Sequence, residues 1–134
     1  MPHCTVEYTD NLGEQARIRV LLEQLAARFR DSEGVFPVGG VRVRAIRLTE
    51  YVIADNQGDD AFVNITVKIG GGRDAAFKKR FFGALFEMAK AHFQPVFDSR
   101  PFALSLYVEE ADEDGSFKAN TIHARLKRAA SGQP

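Results

Sequence analysis

Apolar and polar positions alternate along His3-Cys4-Thr5-Val6-Glu7-Tyr8, a period of two that predicts a strand. Thr9-Asp10-Asn11 then supplies turn and helix-cap chemistry. From about Gly13 to Asp31 the period changes: Ile18, Leu21, Leu22, Leu25 and Phe29 recur at the spacing of one helix face. Gly34 ends that helix, and Phe36-Pro37-Val38-Gly39-Gly40 reads as a loop. Val41-Arg42-Val43-Arg44-Ala45-Ile46 predicts a second strand, with valines on one side and arginines on the other. Asp55 to Asp60 is a polar turn cluster.

The second half starts over. Val63, Ile65, Val67 and Ile69 share one face of a strand running from Phe62. Gly70-Gly71-Gly72-Arg73 forms a loop, and Asp74 is placed to cap a helix that extends to about Phe97. Its stripe is Phe77, Phe81, Leu85, Met88 and His92. Phe102 to Glu109 predicts another strand, and Phe117 to Leu126 a short edge strand. The order is β-α-β followed by β-α-β, an α+β class in which each unit closes a right-handed crossover. The expected domain spans 1–127, with repeat units of about 1–60 and 61–127 and a loose tail at 128–134. Two single-striped helices belong on the same face of a four-stranded mixed sheet. The other face, carrying Arg42 and Arg44, then needs cover, and self-association is the first candidate. A ferredoxin-like domain produces the same string of elements, so pattern order leaves the topology open.

Charge narrows the function classes. Eighteen basic residues balance eighteen acidic ones, which argues against a binder of nucleic-acid backbones. No apolar run is long enough for a membrane helix. The first twenty residues carry Glu7, Asp10 and Glu14 without an apolar core, so they do not read as a secretory signal. Cys4 is the single cysteine and, sharing a face with Val6 and Tyr8, reads as a small buried hydrophobe. A cytoplasmic location is expected.

His3, His92 and His123 are far apart and follow no metal-ligand spacing, so no metal is expected. Gly70 to Gly72 lacks the Lys-Ser/Thr of a nucleotide loop. It reads either as a tight turn with a surface arginine or as an anion site at a helix start reinforced by Arg73. Arg42 and Arg44 likewise read either as exposed strand arginines or as carboxylate forks. Pro2 is tolerated at a strand start. Removal of Met1, which proline at the second position generally permits, would make it a secondary amine. Cations around such an amine would hold a polycarboxylate and keep the nitrogen neutral, ready to take a proton.

Four blocks, MPH at the start, GVFPVGGVRVR at 34–44, DDAFVNITVKIGGGR at 59–73 and SFKANTIHARLK at 116–127, together resemble the 5-carboxymethyl-2-hydroxymuconate isomerase family. That family belongs to the tautomerase superfamily, with 4-oxalocrotonate tautomerase and macrophage migration inhibitory factor. The resemblance implies a homotrimer whose sheets line its centre, with sites near subunit boundaries. It implies a cofactor-independent isomerase acting on a dienol polycarboxylate from homoprotocatechuate breakdown. It carries the base onto Pro2 and substrate binding onto Arg42, Arg73 and Arg44, with His3 as a wall of the site. The alternatives are a tautomerase with another 2-hydroxydienoate or phenylpyruvate-type substrate, and a non-catalytic oligomeric module that binds acidic ligands.

Overall fold

The computed structural model describes residues 1–132, and their alternation sorts them into a half-covered sheet. Strands β1 (His3–Thr9), β2 (Arg42–Leu48), β3 (Ala61–Gly70) and β4 (Phe102–Ala111) form one sheet in the order β2-β1-β3-β4. β1 pairs parallel with β2, β3 pairs parallel with β4, and β1 meets β3 antiparallel. Each βαβ unit therefore pairs its own two strands directly. This removes the ferredoxin-like alternative, in which another strand intervenes.

Helices α1 (Ile18–Arg30) and α2 (Ala75–His92) cover one face. Leu21, Leu25 and Phe29 of α1 meet Cys4, Val6, Val63, Ile65, Val67 and Ile69 of the strands in a single core, with Phe82, Leu85 and Ala89 of α2. Burial pushes the Cys4 thiol up to about 12, so it remains an inert protonated filler. Phe29 stands edge-on to Phe36 with ring centres 5.3 Å apart, and Phe81 lies 5.5 Å from it.

Three boundaries differ from the sequence expectation. The first helix starts at Ile18, not Gly13, because Gly13 (φ 56°, ψ −140°) and Arg17 (φ 44°, ψ 51°) break the path, leaving Asp10–Ala16 as tighter turns. The Arg17 guanidinium donates to the His92 carbonyl, and the His92 ring bonds the Ala16 carbonyl at 2.9 Å, tying this kink to the end of α2. The second helix stops at His92. Phe93 joins it to a short helix, α3 (Gln94–Ser99), whose first turn holds Pro95.

The third difference is the largest. The expected edge strand within 117–126 is instead the start of helix α4 (Ile122–Ala130), which also takes in three residues of the tail expected to be loose. Ala124, Arg125, Leu126, Lys127, Arg128, Ala129 and Ala130 are strong helix formers, and they outweigh the β-branched pair Thr121-Ile122. The last two residues, 133 and 134, lie outside those described. α4 packs on the turn Val38–Gly40, with the His123 ring against Gly39. No helix among the described residues is long and apolar enough to cross a membrane.

Phe29→Ala is expected to cost about 3–5 kcal/mol in chemical denaturation, since it empties the centre of the aromatic cluster. A second expectation concerns acid. Burial, assisted by the Arg17 charge and opposed by the bond to the Ala16 carbonyl, lowers the His92 pKa from 6.5. Below that value the unfolded chain takes up a proton that the folded chain refuses, so stability falls as pH drops through the window beneath 6.5. His92→Gln should flatten part of that slope in denaturation series between pH 7 and 5, leaving the part due to His3, which is shifted in the same direction.

Candidate active site

Strand direction gathers four segments at one end of the sheet. β2 runs with β1, so residue 42 starts beside residue 3. β3 runs against β1, so its last residues lie beside the amino terminus, with His3 opposite Lys68. β4 runs with β3 and ends at the same place, Ala111 beside Gly70. The amino terminus, the Val38–Val41 turn, the Gly70–Arg73 loop and the segment after β4 therefore converge.

Pro2 is buried, and its carbonyl accepts the Arg42 backbone N–H at 3.1 Å. The Met1 side chain lies over Gly40, where a Cβ would come within 2.7 Å of it, so only glycine allows this approach. Two donors converge on the Met1 sulfur: Arg42 Nη1 at 3.5 Å and Asn120 Nδ2 at 3.4 Å. The same nitrogens donate to the carbonyls of Gly40 (3.3 Å) and Gly39 (2.8 Å), respectively.

Arg73 is brought in by the turn at Gly72, whose φ of +93° suits glycine. It donates to the carbonyls of Gly70 (2.8 Å) and Val35 (3.3 Å), and its guanidinium carbon lies 4.6 Å from the centre of the Phe36 ring. Arg73 thus occupies a fixed position. Asp74 caps the next helix as expected, accepting the Phe77 N–H at 3.2 Å. A cavity of about 530 Å³ opens between Met1, Gly70–Arg73, Glu113 and Lys118. A neighbouring one of about 240 Å³ adds His3, Lys68 and Phe117. Burial first, and then the charges of Lys118, Arg73 and Arg42, lower the pKa of the Met1 amine from 8.0.

Arg44 goes elsewhere. Its Nη1 lies 3.1 Å from His3 Nδ1, in a cavity of about 340 Å³ on the open sheet face with Thr5, Thr66, Lys68 and Glu109. Arginine only donates, so His3 Nδ1 accepts and Nε2 carries the proton. Burial, and then the charges of Arg44 and Arg42, keep that ring neutral to lower pH than usual. The structure thus gathers Pro2, Arg42 and Arg73 at one end of the sheet, leaves Arg44 on the face, and sets His3 between the two. Lys118 and Asn120 are the neighbours that sequence reasoning missed. Both lie within the block at 116–127, whose helix was misread as a strand, and no short motif marks either residue.

The family description "5-carboxymethyl-2-hydroxymuconate isomerase" matches residues 2–126 of the chain. A curated relative, the 5-carboxymethyl-2-hydroxymuconate Delta-isomerase of Escherichia coli, is 37% identical over 127 residues, covering 95% of this chain and all of the relative. The crystal structure of a 5-carboxymethyl-2-hydroxymuconate isomerase from Deinococcus radiodurans R1 is similar at a TM-score of 0.89 and 45% identity, covering 93% of each chain. At 19% identity and a TM-score of 0.61, a fused 4-OT symmetric trimer shares the fold, with 87% of this chain and 90% of that one covered. Both the extent of the family match and the full-length curated relative lead to one assignment: the chain belongs to the 5-carboxymethyl-2-hydroxymuconate isomerase family and has the tautomerase fold.

Proposed function

We propose that the protein is a cofactor-independent isomerase of 5-carboxymethyl-2-hydroxymuconate, acting in cytoplasmic homoprotocatechuate breakdown, with the Pro2 amine as base once Met1 is removed. The observation that carries this reading is the setting of the amino terminus among Arg42, Arg73 and Lys118. Among the described residues the ion pairs are Arg19–Glu23, Lys78–Glu110 and Arg100–Asp59, so these three cations have no carboxylate within pairing distance. A ligand with several carboxylates is the natural complement.

The burial and charges that lower the Met1 amine would act in the same direction on a free Pro2 nitrogen. The neutral amine takes the proton of the C2 hydroxyl. As that O–H bond breaks, its electrons form the C2 carbonyl and the conjugated double bonds shift to C3–C4. The proton then passes from Pro2 to C5, giving the 2-oxo-3-ene product with no atom gained or lost. Charge builds on the C2 oxygen during the first transfer. Arg42 and Arg73 supply fork-shaped donors for that oxygen and for the carboxylates. His3 and Arg44 form a second, more open wall.

Association is part of the proposal: a homotrimer packed through the open sheet face. Tyr107 on that face is 62% exposed, and Phe117 beside the smaller cavity is 90% exposed, a state that a second copy would end. A relative in fold is itself a symmetric trimer.

Protein lacking Met1 should convert the dienol to the enone. Protein keeping Met1, distinguished by intact mass, should be inactive because an amide nitrogen is no base. Pro2→Ala should be slower, and Arg42→Ala or Arg73→Ala should lose about 10²–10³ in kcat. Equal rates with and without Met1 would defeat the proposal. The pH profile offers a separate check. Removing a cation makes protonation of the amine easier, so Lys118→Met should move the ascending limb of kcat/KM to higher pH. Sedimentation should give three times the 14.9 kDa of the chain, and Tyr107→Asp should lower that mass.

A further inference from the structure

We propose that Asn120 binds substrate directly: its amide and the Arg42 guanidinium form an oxygen-binding subsite that Met1 fills in the unprocessed chain. This rests on the reading of Pro2 as the base after Met1 removal, and names a residue and a contact which that reading lacks.

The argument starts from hydrogens. Asn120 Nδ2 carries two; one is committed to the Gly39 carbonyl at 2.8 Å, and the other meets only the Met1 sulfur at 3.4 Å. Arg42 Nη1 also carries two, and they divide in the same way between the Gly40 carbonyl at 3.3 Å and that sulfur at 3.5 Å. A thioether is a weak acceptor, so each nitrogen holds one well-aimed hydrogen in reserve. The sulfur stands in for an acceptor atom.

The orientation of the amide is fixed. Asn120 Oδ1 accepts the Ile122 N–H at 2.7 Å, so the oxygen faces a donor and the nitrogen faces the Gly39 carbonyl. The carbonyls that anchor the two donors belong to consecutive residues, Gly39 and Gly40, in one tight turn. Gly40 has no Cβ to intrude on the space that Met1 occupies. When Met1 leaves, two N–H groups still point into that space, next to the nitrogen that becomes the chain terminus. An oxygen there accepts from both. With Arg42 itself, Lys118 and Arg73 nearby, an anionic oxygen is favoured, from a carboxylate or a developing enolate of a small acyclic acid. Asn120 adds direction to this cluster without adding another positive charge.

The test uses full-length protein freed of Met1 and cis,cis-muconate, a dicarboxylate that lacks the 2-hydroxyl and cannot turn over. Calorimetric binding should weaken about 10- to 100-fold in Asn120→Ala, and KM for the dienol should rise with it. The ascending limb of the pH profile should stay in place, since asparagine carries no charge. Asn120→Asp keeps the acceptor for Ile122 but exchanges the donor for a carboxylate, so it should bind muconate more weakly than Asn120→Ala. A role confined to accepting the Ile122 N–H at the start of α4, which aspartate keeps and alanine loses, predicts the reverse order and would overturn the subsite, as would binding unchanged in Asn120→Ala. Isomerisation by the unsubstituted protein with no dependence on Asn120 defeats this inference alone. Asn120-dependent muconate binding without isomerisation defeats the proposed reaction and keeps the subsite. Muconate binding that persists in protein retaining Met1 overturns the idea that Met1 fills it.

Discussion

The antiparallel pairing of β1 with β3 is the interaction on which the rest of this molecule depends. It joins the two βαβ units into one sheet, and its register sets His3 opposite Lys68. Because β1 also runs parallel to β2 with His3 beside Arg42, the amino terminus is fixed from both sides. A register shift of two residues would preserve the buried face, since side chains alternate, yet would carry the amino terminus nearly 7 Å along the sheet. Burial alone cannot choose between those registers. The buried Thr9 helps to do so: its hydroxyl accepts the Phe62 N–H at 3.1 Å and so fixes the far end of the pair.

Charge is distributed with the same economy. The chain is neutral overall, yet Arg42, Arg73 and Lys118 sit together around the amino terminus. Arg73 is held by two carbonyls and an aromatic ring, which orient it without neutralising it. Such an arrangement repels itself and lowers stability in the absence of an anion, and a bound anion offsets the repulsion. Among the described residues the ion pairs involve other cations, such as Arg100 with Asp59 at 2.7 Å.

The strands and the stripes of α1 and α2 were legible in the sequence because burial imposes periods of two and about 3.6 on the residues that meet the core. Val63, Ile65, Val67 and Ile69 carry one signal, and Leu21, Leu25 and Phe29 the other. The start of α1 was not legible, since nothing local announces that Arg17 will take a left-handed backbone; a contact with the residue at position 92 supports it. Helix α4 was misread for a similar reason: no residue of it is buried, so no core stripe marks it. Pro2, Arg42 and Arg73 stood out by residue type and by resemblance. Asn120 and Lys118 did not, because what distinguishes them is proximity to Met1 across more than a hundred residues of chain. Arg44 reads like Arg42 in sequence, and only the two-residue step along β2 separates their surroundings.

That step separates one end of the sheet from its open face. The row Arg42, His3, Lys68 and Glu109 crosses the sheet next to the cavity, and the row Arg44, Thr5, Thr66 and Tyr107 lies one step inward. His3 lines the cavity beside Met1 and also the one on the open face. A second copy seated on the face would touch the second row and, through the first, press on the rim of the cavity that Phe117 leaves uncovered. Catalysis at a strand end and association through a sheet face would then share residues, so that oligomer and site form together. In that arrangement His3 belongs to both, its ring held by Arg44 on the face and its backbone paired beside Arg42 at the end.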